Sequence, residues 1–372
     1  MRIAVLTSSR ADYGIYLPLL KAIKQDNELS LKIIAFGTHL SKYHGYTIGD
    51  ILNDGFEVPY RLESLLTSDS PNGVATSYAL TAQKFADFWY YFHDQFDLVF
   101  VLGDRFEMAA AVAASVPFQI PIAHLHGGET TLGAIDTVYR HSISLCSKFH
   151  FVSTAVFAQR IHQLFGFKHP NVYHVGSLSL ENLIHVRLLS YEEFNAKWDI
   201  DLRLDSILVT VHPETVAYDR NQAFCDEIVI ALKALSKKLQ IIITMPNADT
   251  AGLIFRNSFM RLAKENPGIR IVENFGTQAY FTCMKHVKLL IGNTSSGIIE
   301  AASFNKYVLN LGERQKGRFC GENVVHLPFD AKKIIGSVEK YLGKEFIGEN
   351  IYYQPHSSAK ILTAIKEYYA SV

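Results

Sequence analysis

Three acidic residues at turns and two histidines lie within one stretch, GDRFEMAAAVAASVPFQIPIAHLHGGETTLGAID, at residues 103–136, which also contains Glu107. Asp104, Glu129 and Asp136 each fall where a predicted strand or loop enters a helix. His124 and His126 are two residues apart on a predicted strand, so their side chains are expected to point the same way. Carboxyl and imidazole groups at such turns suit general acid–base catalysis. We expect Asp104 and Glu129 to reach a ligand cleft, because glycine turns carry them out of buried strands.

These residues also have structural interpretations. Asp104 could cap the helix predicted in RFEMAAAVAAS. Asp136 and Arg140 could form an i,i+4 pair worth about a few tenths of a kcal/mol, with His141 beside them. The two histidines and Glu129 have the donor types of a metal site. They lack the fixed helical spacing of zinc motifs, so the sequence predicts no metal.

A phosphate-binding pattern occurs in the second half of the chain, in LLIGNTSSGIIEAASF at residues 289–304. A buried strand ends at Ile291, and small polar residues then open a helix whose backbone N–H groups can bind an anion. Glu300, one turn in, could accept hydrogen bonds from a ribose. An ordinary serine cap is the alternative. Basic side chains follow other predicted strands and favour a diphosphate ligand: Arg10, His212, Arg314 and Arg318.

The elements that position these groups are short apolar runs, each followed by a turn and a helical pattern. RIAVLTSS, LKIIAFGT, DLVFVLGD, IPIAHLHGG, FHFVST and VYHVGS read as strands buried on both faces of a parallel sheet. The pattern pauses at residues 178–204 and restarts with SILVTVHP, QIIITMPNAD, GIRIVENF, KLLIGNTSSG and KYVLNLG. The sequence therefore predicts an α/β protein of two doubly wound, Rossmann-like domains that face a cleft.

The predicted domains cover residues 1–177, which carry the acid–base groups, and residues 178–357, which carry the nucleotide site. The C-terminal helix, residues 358–372, is expected to pack back on the first domain. A length of 372 residues suits two cores.

Composition excludes several classes of protein. Lys plus Arg and Asp plus Glu number 36 each, so the net charge is zero and non-specific nucleic-acid binding is not expected. The N-terminal apolar run is too short for a signal peptide, no window reaches the ~18 apolar residues of a membrane helix, and the four cysteines are widely spaced. These features predict a cytoplasmic protein. Dinucleotide, P-loop and nucleophile-elbow motifs are absent from the sequence.

The chain resembles the hydrolysing UDP-N-acetylglucosamine 2-epimerase family, in its sialic-acid-pathway branch. The matching stretches occur in the family's order: SSRADYG, GDRFEMA, HLHGGE, GAIDTVYRH, PNAD, GNTSSGIIEA and LGERQKGR. The resemblance implies a fold of the glycosyltransferase-B type, a homodimer, and the conversion of UDP-N-acetylglucosamine and water to UDP and N-acetylmannosamine without a cofactor.

The resemblance also implies the site residues. Those expected at the acid–base centre are Asp104, Glu129, Asp136, His126, Arg140 and His141. Those expected to bind UDP are Arg10, His212, Asn247, Phe275, Thr294, Ser295, Ser296, Gly297, Glu300 and Arg314. The chain departs from the pattern in two places. His126 stands where relatives carry a glutamate, and Gly14 and Ile15 stand where some relatives carry a lysine or serine.

Elimination is the chemistry that these groups suit. The C2 proton of a nucleotide sugar is not next to a carbonyl, so a base must remove it while UDP leaves from C1, and water then adds to the glycal. Three readings stay open at this point: the same reaction on UDP-2,4-diacetamido-2,4,6-trideoxyglucose, a UDP-sugar glycosyltransferase of the same fold, and a non-catalytic nucleotide-sugar sensor.

Overall fold

The computed structural model describes residues 1–68, 70–246 and 252–371. The chain divides into two compact units. The first contains Met1–Glu129, Asp136–Asn182 and the C-terminal stretch from Tyr352 onward. The second contains Leu183–Ile351 together with the short segment Thr130–Ile135. The first unit therefore runs past the boundary predicted at residue 177, and six residues of the predicted first domain pack with the second unit instead.

The described strands, in chain order, are β1 (Arg2–Thr7), β2 (Ser30–Phe36), β3 (Tyr60–Leu62), β4 (Leu98–Leu102), β5 (Ile122–Leu125), β6 (Phe149–Val152), β7 (Val172–His174), β8 (Ser206–Thr210), β9 (Gln240–Thr244), β10 (Ile269–Val272), β11 (Leu289–Gly292), β12 (Val308–Leu311) and β13 (Val324–Leu327).

The described α-helices, in chain order, are α1 (Arg10–Gln25), α2 (Ile48–Asn53), α3 (Pro71–Phe92), α4 (Phe106–Ser115), α5 (Asp136–Leu145), α6 (Ala155–Phe165), α7 (Leu178–His185), α8 (Tyr191–Trp198), α9 (Asn221–Leu235), α10 (Gly252–Glu265), α11 (Gly276–His286), α12 (Ser295–Ile299), α13 (Ala331–Tyr341) and α14 (Ser357–Ala370).

The first unit is built on a parallel sheet with the strand order β3-β2-β1-β4-β5-β6-β7. Residues of β1 and β4 pair in parallel, for example Ala4 with Val99. The chain builds outward from β1 in one direction and then from β4 in the other, so the strand order reverses between these two strands. Ligands of open α/β sheets bind at the carboxyl ends of the strands beside such a reversal. Arg10 and Asp104 follow these two strands.

The second unit repeats this plan with the strand order β10-β9-β8-β11-β12-β13. The reversal lies between β8 and β11, which pair from Leu289 with Ile207 to Gly292 with Thr210. His212 follows β8, and Thr294 follows β11. The predicted phosphate-binding residues of this unit therefore begin at its reversal point.

Both sheets are covered on two faces, as the apolar strand runs predicted. One face of the first sheet packs against α1 and α14, through side chains such as Leu19 and Ile361. Its other face packs against α3 and α4, through side chains such as Trp89 and Met108. In the second unit, α9, α10 and α13 belong to one core, and α8 and α11 belong to the other.

The C-terminal helix α14 is fixed to the first unit by a buried carboxylate. Glu181, on α7, accepts hydrogen bonds from the backbone N of Ser358 at 2.8 Å and from its Oγ at 2.7 Å. The carboxylate thus satisfies N–H and O–H groups in the first turn of α14, where no backbone acceptor is available.

Two strands were not predicted from the sequence, β3 and β13. Each lies at the edge of its sheet and has three or four residues that are only partly buried. The apolar runs that identify buried strands are therefore missing from them. No helix in the described part of the chain is long and apolar enough to cross a membrane.

His150 makes the first unit sensitive to acid. It is completely buried on β6, where its ring packs against Phe165 and His169 with centroid distances of 5.4 and 4.8 Å. Burial lowers the pKa of His150 to about 3, and neighbouring histidines add to the effect. In the unfolded chain its pKa is near 6.5, so below that value the unfolded state binds more protons than the folded state. The contribution of neutral His150 to the free energy of unfolding is therefore fully present above pH 6.5, and it is lost as the pH falls toward 3.

We expect His150→Phe to reduce the dependence of the free energy of unfolding on pH below pH 7. The loss of unfolding free energy between pH 7 and pH 5 should be smaller than in the wild type by about 1–2 kcal/mol, because one proton-linked group is gone. Urea unfolding at the two pH values measures it. His356→Asn, at an exposed position with a left-handed backbone that Asn tolerates, is the control and should keep the wild-type slope. An unchanged slope in His150→Phe would contradict the assignment.

Candidate active site

The turn HGGE joins β5 to the residues that carry chemistry. β5 ends at Leu125, and the next residue, His126, adopts a left-handed backbone with φ 62°. Gly128 also has a positive φ, 77°, and a Cβ there would lie 2.5 Å from the carbonyl oxygen of Phe157. Only glycine fits this position, and the tight turn brings Glu129 back beside His126. The prediction that His124 and His126 share one face of a strand is wrong, because the strand ends before His126.

Glu129 lies under this turn and is completely buried. Its Oε1 accepts hydrogen bonds from Nδ1 of His126 and from Oγ of Ser153, both at 2.9 Å. Glu129 and Asp104 were both expected to reach a ligand cleft; the Glu129 side chain has no exposed surface, whereas the Asp104 side chain is 25% exposed. A buried carboxylate needs such partners, since an unpaired charge away from water is costly.

Arg140, on α5, links the acidic groups. Its guanidinium is almost completely buried and forms an ion pair with Asp104, with Nη2 directed to Oδ2. Its Nη1 donates to the carbonyl oxygen of His126 at 2.6 Å and lies 3.8 Å from Oε2 of Glu129. Asp104 does not cap a helix, because α4 begins after Arg105 and has no side-chain cap. That prediction is corrected by the ion pair.

His124 has a structural role. Its Nε2 lies 2.9 Å from the carbonyl oxygen of Gly103, and its Nδ1 lies 3.0 Å from Oγ of Ser144. Burial lowers its pKa to about 3, and the charge of Arg140 adds to this effect. The neutral ring therefore supports the turn that presents Asp104. Among the residues that the structure describes, no group of three or more His, Cys, Asp or Glu could hold a metal ion.

Asp136 and His141 share α5 with Arg140. Asp136 is the first residue of this helix and is half-buried. Burial lowers the pKa of His141, and the positive charges of Arg140 and Arg160 add to that effect. The structure thus places both predicted residues on the helix that holds the buried guanidinium.

The turn after β1 presents Arg10, which is half-buried at the start of α1. Ser9 caps this helix by accepting from the backbone N of Asp12 at 3.3 Å. The Asp12 carboxylate accepts from the backbone N and Oγ of Ser8, at 3.1 and 2.7 Å. Burial raises the pKa of Asp12, and the nearby Arg105 opposes that rise. Asp12 was not predicted from the sequence as part of the site, although the spacing from Ser9 to Asp12, Ser-x-x-Asp, is a signal for a helix N-cap.

In the second unit, Asn293 orders the residues at the reversal point. Its Oδ1 accepts from the backbone N of His212 at 2.7 Å, and its Nδ2 donates to the carbonyl oxygen of the same residue at 2.9 Å. Gln315 donates to the carbonyl oxygen of Asn293 at 2.8 Å. One completely buried amide therefore fixes the loops that follow β8 and β11. No pattern in a single sequence distinguishes this asparagine from an ordinary turn residue.

The predicted phosphate turn follows at Thr294, which caps α12 by accepting from the backbone N of Ser296 at 3.4 Å. Ser295, Ser296 and Gly297 form its first turn, and Glu300 follows its last residue. α12 has only five residues, so its dipole is small, and individual N–H groups are the better donors.

Tyr280 packs next to the phosphate turn. Together with Thr210 and Gly297 it lines a cavity of about 10 Å³. Burial raises the pKa of Tyr280 to about 12, while hydrogen bonds to Ser296 and Thr210 oppose the rise. The neutral hydroxyl is thus a fixed partner of the turn.

Arg314 lies on the loop after β12. Buried Glu214 holds this loop, because its Oε1 accepts from the backbone N of Glu313 at 2.6 Å. Burial raises the pKa of Glu214. On the same loop, Arg318 donates to Oε1 of Gln315 at 2.9 Å.

The segment Thr130–Ile135 packs on this same loop within the second unit. Leu132 N donates to the carbonyl oxygen of Lys316 at 2.8 Å, and Ile135 N donates to Oγ1 of Thr215 at 3.2 Å. A Cβ at Gly133 would lie 2.3 Å from the carbonyl oxygen of Glu313, so only glycine fits. The segment directly follows Glu129 and directly precedes α5.

Phe275 and Asn247 are the two predicted UDP-binding residues that remain. The side chain of Phe275 is buried and packs against Phe194 and Trp198, with ring centroids 5.3 and 5.0 Å apart. Its ring is therefore part of a core, although its backbone directly precedes the first residue of α11. Asn247 lies outside the described residues.

Comparison with known proteins agrees with these features. A family model described as UDP-N-acetylglucosamine 2-epimerase matches residues 21–366. The chain belongs to this family. It is 34% identical over 349 residues to the GDP/UDP-N,N'-diacetylbacillosamine 2-epimerase (hydrolyzing) of Campylobacter jejuni, covering 93% of this chain and 88% of that protein. It is 32% identical to the UDP-N,N'-diacetylbacillosamine 2-epimerase (hydrolyzing) of Legionella pneumophila, covering 92% and 89%.

The fold is also that of the family. The crystal structure of UDP-GlcNAc 2-epimerase from Neisseria meningitidis bound to UDP-GlcNAc superposes with a TM-score of 0.81 and covers 99% of this chain and 100% of that one, at 17% identity. The predicted fold class, two doubly wound α/β units of the glycosyltransferase-B type, is confirmed. The predicted resemblance to the 2-epimerase family is confirmed as well.

For this family member we expect Asn293→Ala to weaken UDP binding without contacting the ligand. The substitution leaves the backbone N–H and C=O of His212 without their partners, which costs about 1–3 kcal/mol in stability. Calorimetry with UDP and urea unfolding measure both effects. Asn293→Asp keeps the acceptor for the N–H but sets a buried carboxylate oxygen against the carbonyl oxygen of His212, so it should lose at least as much of both. Equal UDP affinity in all three proteins would show that Asn293 does not order the site.

Proposed function

We propose that this protein is a hydrolysing 2-epimerase, which converts a UDP-linked 2-acetamido sugar and water to UDP and the free sugar with inverted C2. The observation that supports it most is the buried cluster around Arg140, which places Asp104, Glu129 and His126 together in a member of this family. Proton transfer at C2 needs such groups, held in fixed geometry.

In the proposed reaction the first unit supplies the acid–base residues and the second unit the nucleotide site. A base takes the proton from C2 while the C1–O bond breaks and its electrons leave with UDP. The C2–H electrons form the C1=C2 double bond of the glycal. Water then adds to C1, and an acid returns a proton to the opposite face of C2. Asp104, Asp136 and His141 are the proposed partners in this second proton transfer.

The departing diphosphate carries negative charge that cationic and N–H donors stabilise. We assign this role to Arg10, His212 and Arg314, with the N–H groups of the phosphate turn. The proposed nucleotide site also takes in Thr294, Ser295, Ser296, Gly297 and Glu300, with the predicted residues Asn247 and Phe275. No step of this chemistry calls for a cofactor.

The identity of the sugar is the finer part of the proposal. The sequence motifs favour UDP-N-acetylglucosamine as the substrate. The relatives that share 34% and 32% identity over more than nine tenths of the chain are described as diacetylbacillosamine epimerases, which supports UDP-2,4-diacetamido-2,4,6-trideoxyglucose. We therefore favour the diacetamido sugar as substrate and keep UDP-N-acetylglucosamine as the second candidate.

Side-by-side turnover tests both parts of the proposal. The purified protein is incubated with each nucleotide sugar, in water and with no acceptor. Stoichiometric UDP and a free sugar of inverted C2 configuration are expected, with a higher kcat/KM for the diacetamido substrate. A preference for UDP-N-acetylglucosamine would overturn the choice of sugar only. Tight UDP binding without any turnover would favour the glycosyltransferase or the sensor. The predicted homodimer and cytoplasmic location stay predictions.

Removing any of the side chains proposed to bind the diphosphate should weaken UDP binding. Each of Arg10→Ala, His212→Ala and Arg314→Ala is expected to raise the Kd for UDP by about 10- to 150-fold, the loss of one charge-assisted hydrogen bond of ~1.5–3 kcal/mol. Arg256→Ala is the control, because that guanidinium pairs with Glu273 on the surface. Calorimetry that gives wild-type affinity for all three variants would exclude the proposed set.

A further inference from the structure

Glu129 is poorly placed to take a proton from a substrate. Its side chain has no exposed surface, and Oε1 is occupied by Nδ1 of His126 and Oγ of Ser153. Its Oε2 faces Arg140 at 3.8 Å. A base must approach within hydrogen-bond distance of the proton that it removes. The His126 side chain, by contrast, is 9% exposed and lies directly above this carboxylate.

The contacts of the His126 ring define which nitrogen can act. Glu129 can only accept at Nδ1 while it is ionised, so Nδ1 carries the hydrogen and Nε2 carries the lone pair. Nε2 lies 3.4 Å from Oγ of Ser177, a distance at which a hydrogen bond is weak. A carboxylate that holds one ring nitrogen fixes the tautomer and the orientation of the ring.

The backbone of His126 is held in place as firmly as its ring. Its left-handed conformation is unfavourable for a residue with a Cβ and persists only where the surroundings enforce it. Two contacts do so. The backbone N of His126 donates to the carbonyl oxygen of Phe151 at 3.0 Å, and its carbonyl oxygen accepts from Arg140 at 2.6 Å. Strain of this kind is concentrated at functional sites.

We infer that His126 takes the C2 proton of the substrate through Nε2, that Glu129 is its positioning residue, and that Ser153 positions Glu129. This inference rests on the proposed function. In the step, the lone pair of Nε2 bonds to the C2 proton, the C2–H electron pair becomes the C1=C2 bond, and the C1–O pair leaves with UDP. The resulting imidazolium is stabilised by the Glu129 carboxylate. Solvent then takes the proton from Nε2, which restores the starting ring.

Charged and titratable groups surround the His126 ring. Glu129 faces it from its own turn, Arg140 from α5, and His124 from β5, while Asp104 binds the far side of Arg140. The Glu129 carboxylate is the anion in direct contact with the ring, so it faces the imidazolium that forms in the step.

His126→Asn separates the two candidate bases. Asn tolerates a left-handed backbone, and its Nδ2 can donate to Glu129 where Nδ1 of the histidine did. The variant therefore keeps the buried carboxylate in place and removes the base above it. We expect kcat to fall by about 10²- to 10⁴-fold, the usual contribution of a general base. The melting temperature should stay near that of the wild type.

Glu129→Gln and Ser153→Ala test the positioning roles. Glu129→Gln keeps the shape of the carboxylate, and we expect a lower kcat with residual turnover and a larger isotope effect with C2-deuterated substrate. Ser153→Ala should lower kcat by a few fold in the same sense. Ser142→Ala is the matched control, because the Ser142 hydroxyl donates to Val138 O on the exposed side of α5. Ser142→Ala should keep the wild-type kcat and isotope effect.

Near-wild-type turnover of His126→Asn, with complete loss of activity in Glu129→Gln, would overturn the inference and make Glu129 the base. Equal losses of activity and melting temperature in the His126 and Glu129 variants, with an unchanged isotope effect in the residual activity, would make the pair purely structural. Absence of turnover by the wild type on either nucleotide sugar would instead refute the proposed function, so the two failures are distinguishable.

Discussion

The burial of one guanidinium constrains the site of the first unit. Arg140 is almost completely shielded from water, and a buried charge is tolerated only where opposite charges and hydrogen-bond acceptors surround it. It takes these from Asp104, from Glu129 and from the carbonyl oxygen of His126. These partners come from two separate turns, since Asp104 follows β4 and the other two belong to the HGGE turn after β5. The need to compensate a single cation therefore brings together groups that the chain carries far apart.

This constraint explains why the surrounding positions accept so few residues. Gly128 must be glycine because the turn presses against Phe157, and His124 must stay neutral because it is enclosed between Gly103 and Ser144. The second unit solves a similar problem with a neutral amide. Asn293 satisfies the backbone of His212 and orders the loops beside it. In each unit a buried polar side chain thus holds turns that follow the strands, from α5 in the first unit and from the turn after β11 in the second.

The sequence predicted most of the fold because buried parallel strands are continuous apolar runs, and β1, β4 and β8 are such runs. It missed β3 and β13, whose few residues at sheet edges are half-exposed. It named the residues around Arg140 but not their contacts. Asp104 and Arg140 are 36 residues apart, and no local pattern links them.

The His126 turn shows a second limit. Two glycines marked a turn, but where the strand stopped depended on hydrogen bonds to β6 and α5 that only the folded chain provides. Ser153 was likewise invisible as a partner of Glu129, because a serine at a strand end is common in any α/β protein.

The proposed reaction requires proton exchange at C2 of a UDP-linked sugar, and running it in deuterated water measures that exchange. The products are separated, and the released sugar is analysed by NMR and mass spectrometry. Epimerisation by elimination should give one deuterium at C2, an inverted configuration at that carbon, and UDP in equal amount. A released sugar that keeps its original C2 hydrogen and configuration would show simple hydrolysis, and it would contradict the assignment of this site to epimerisation.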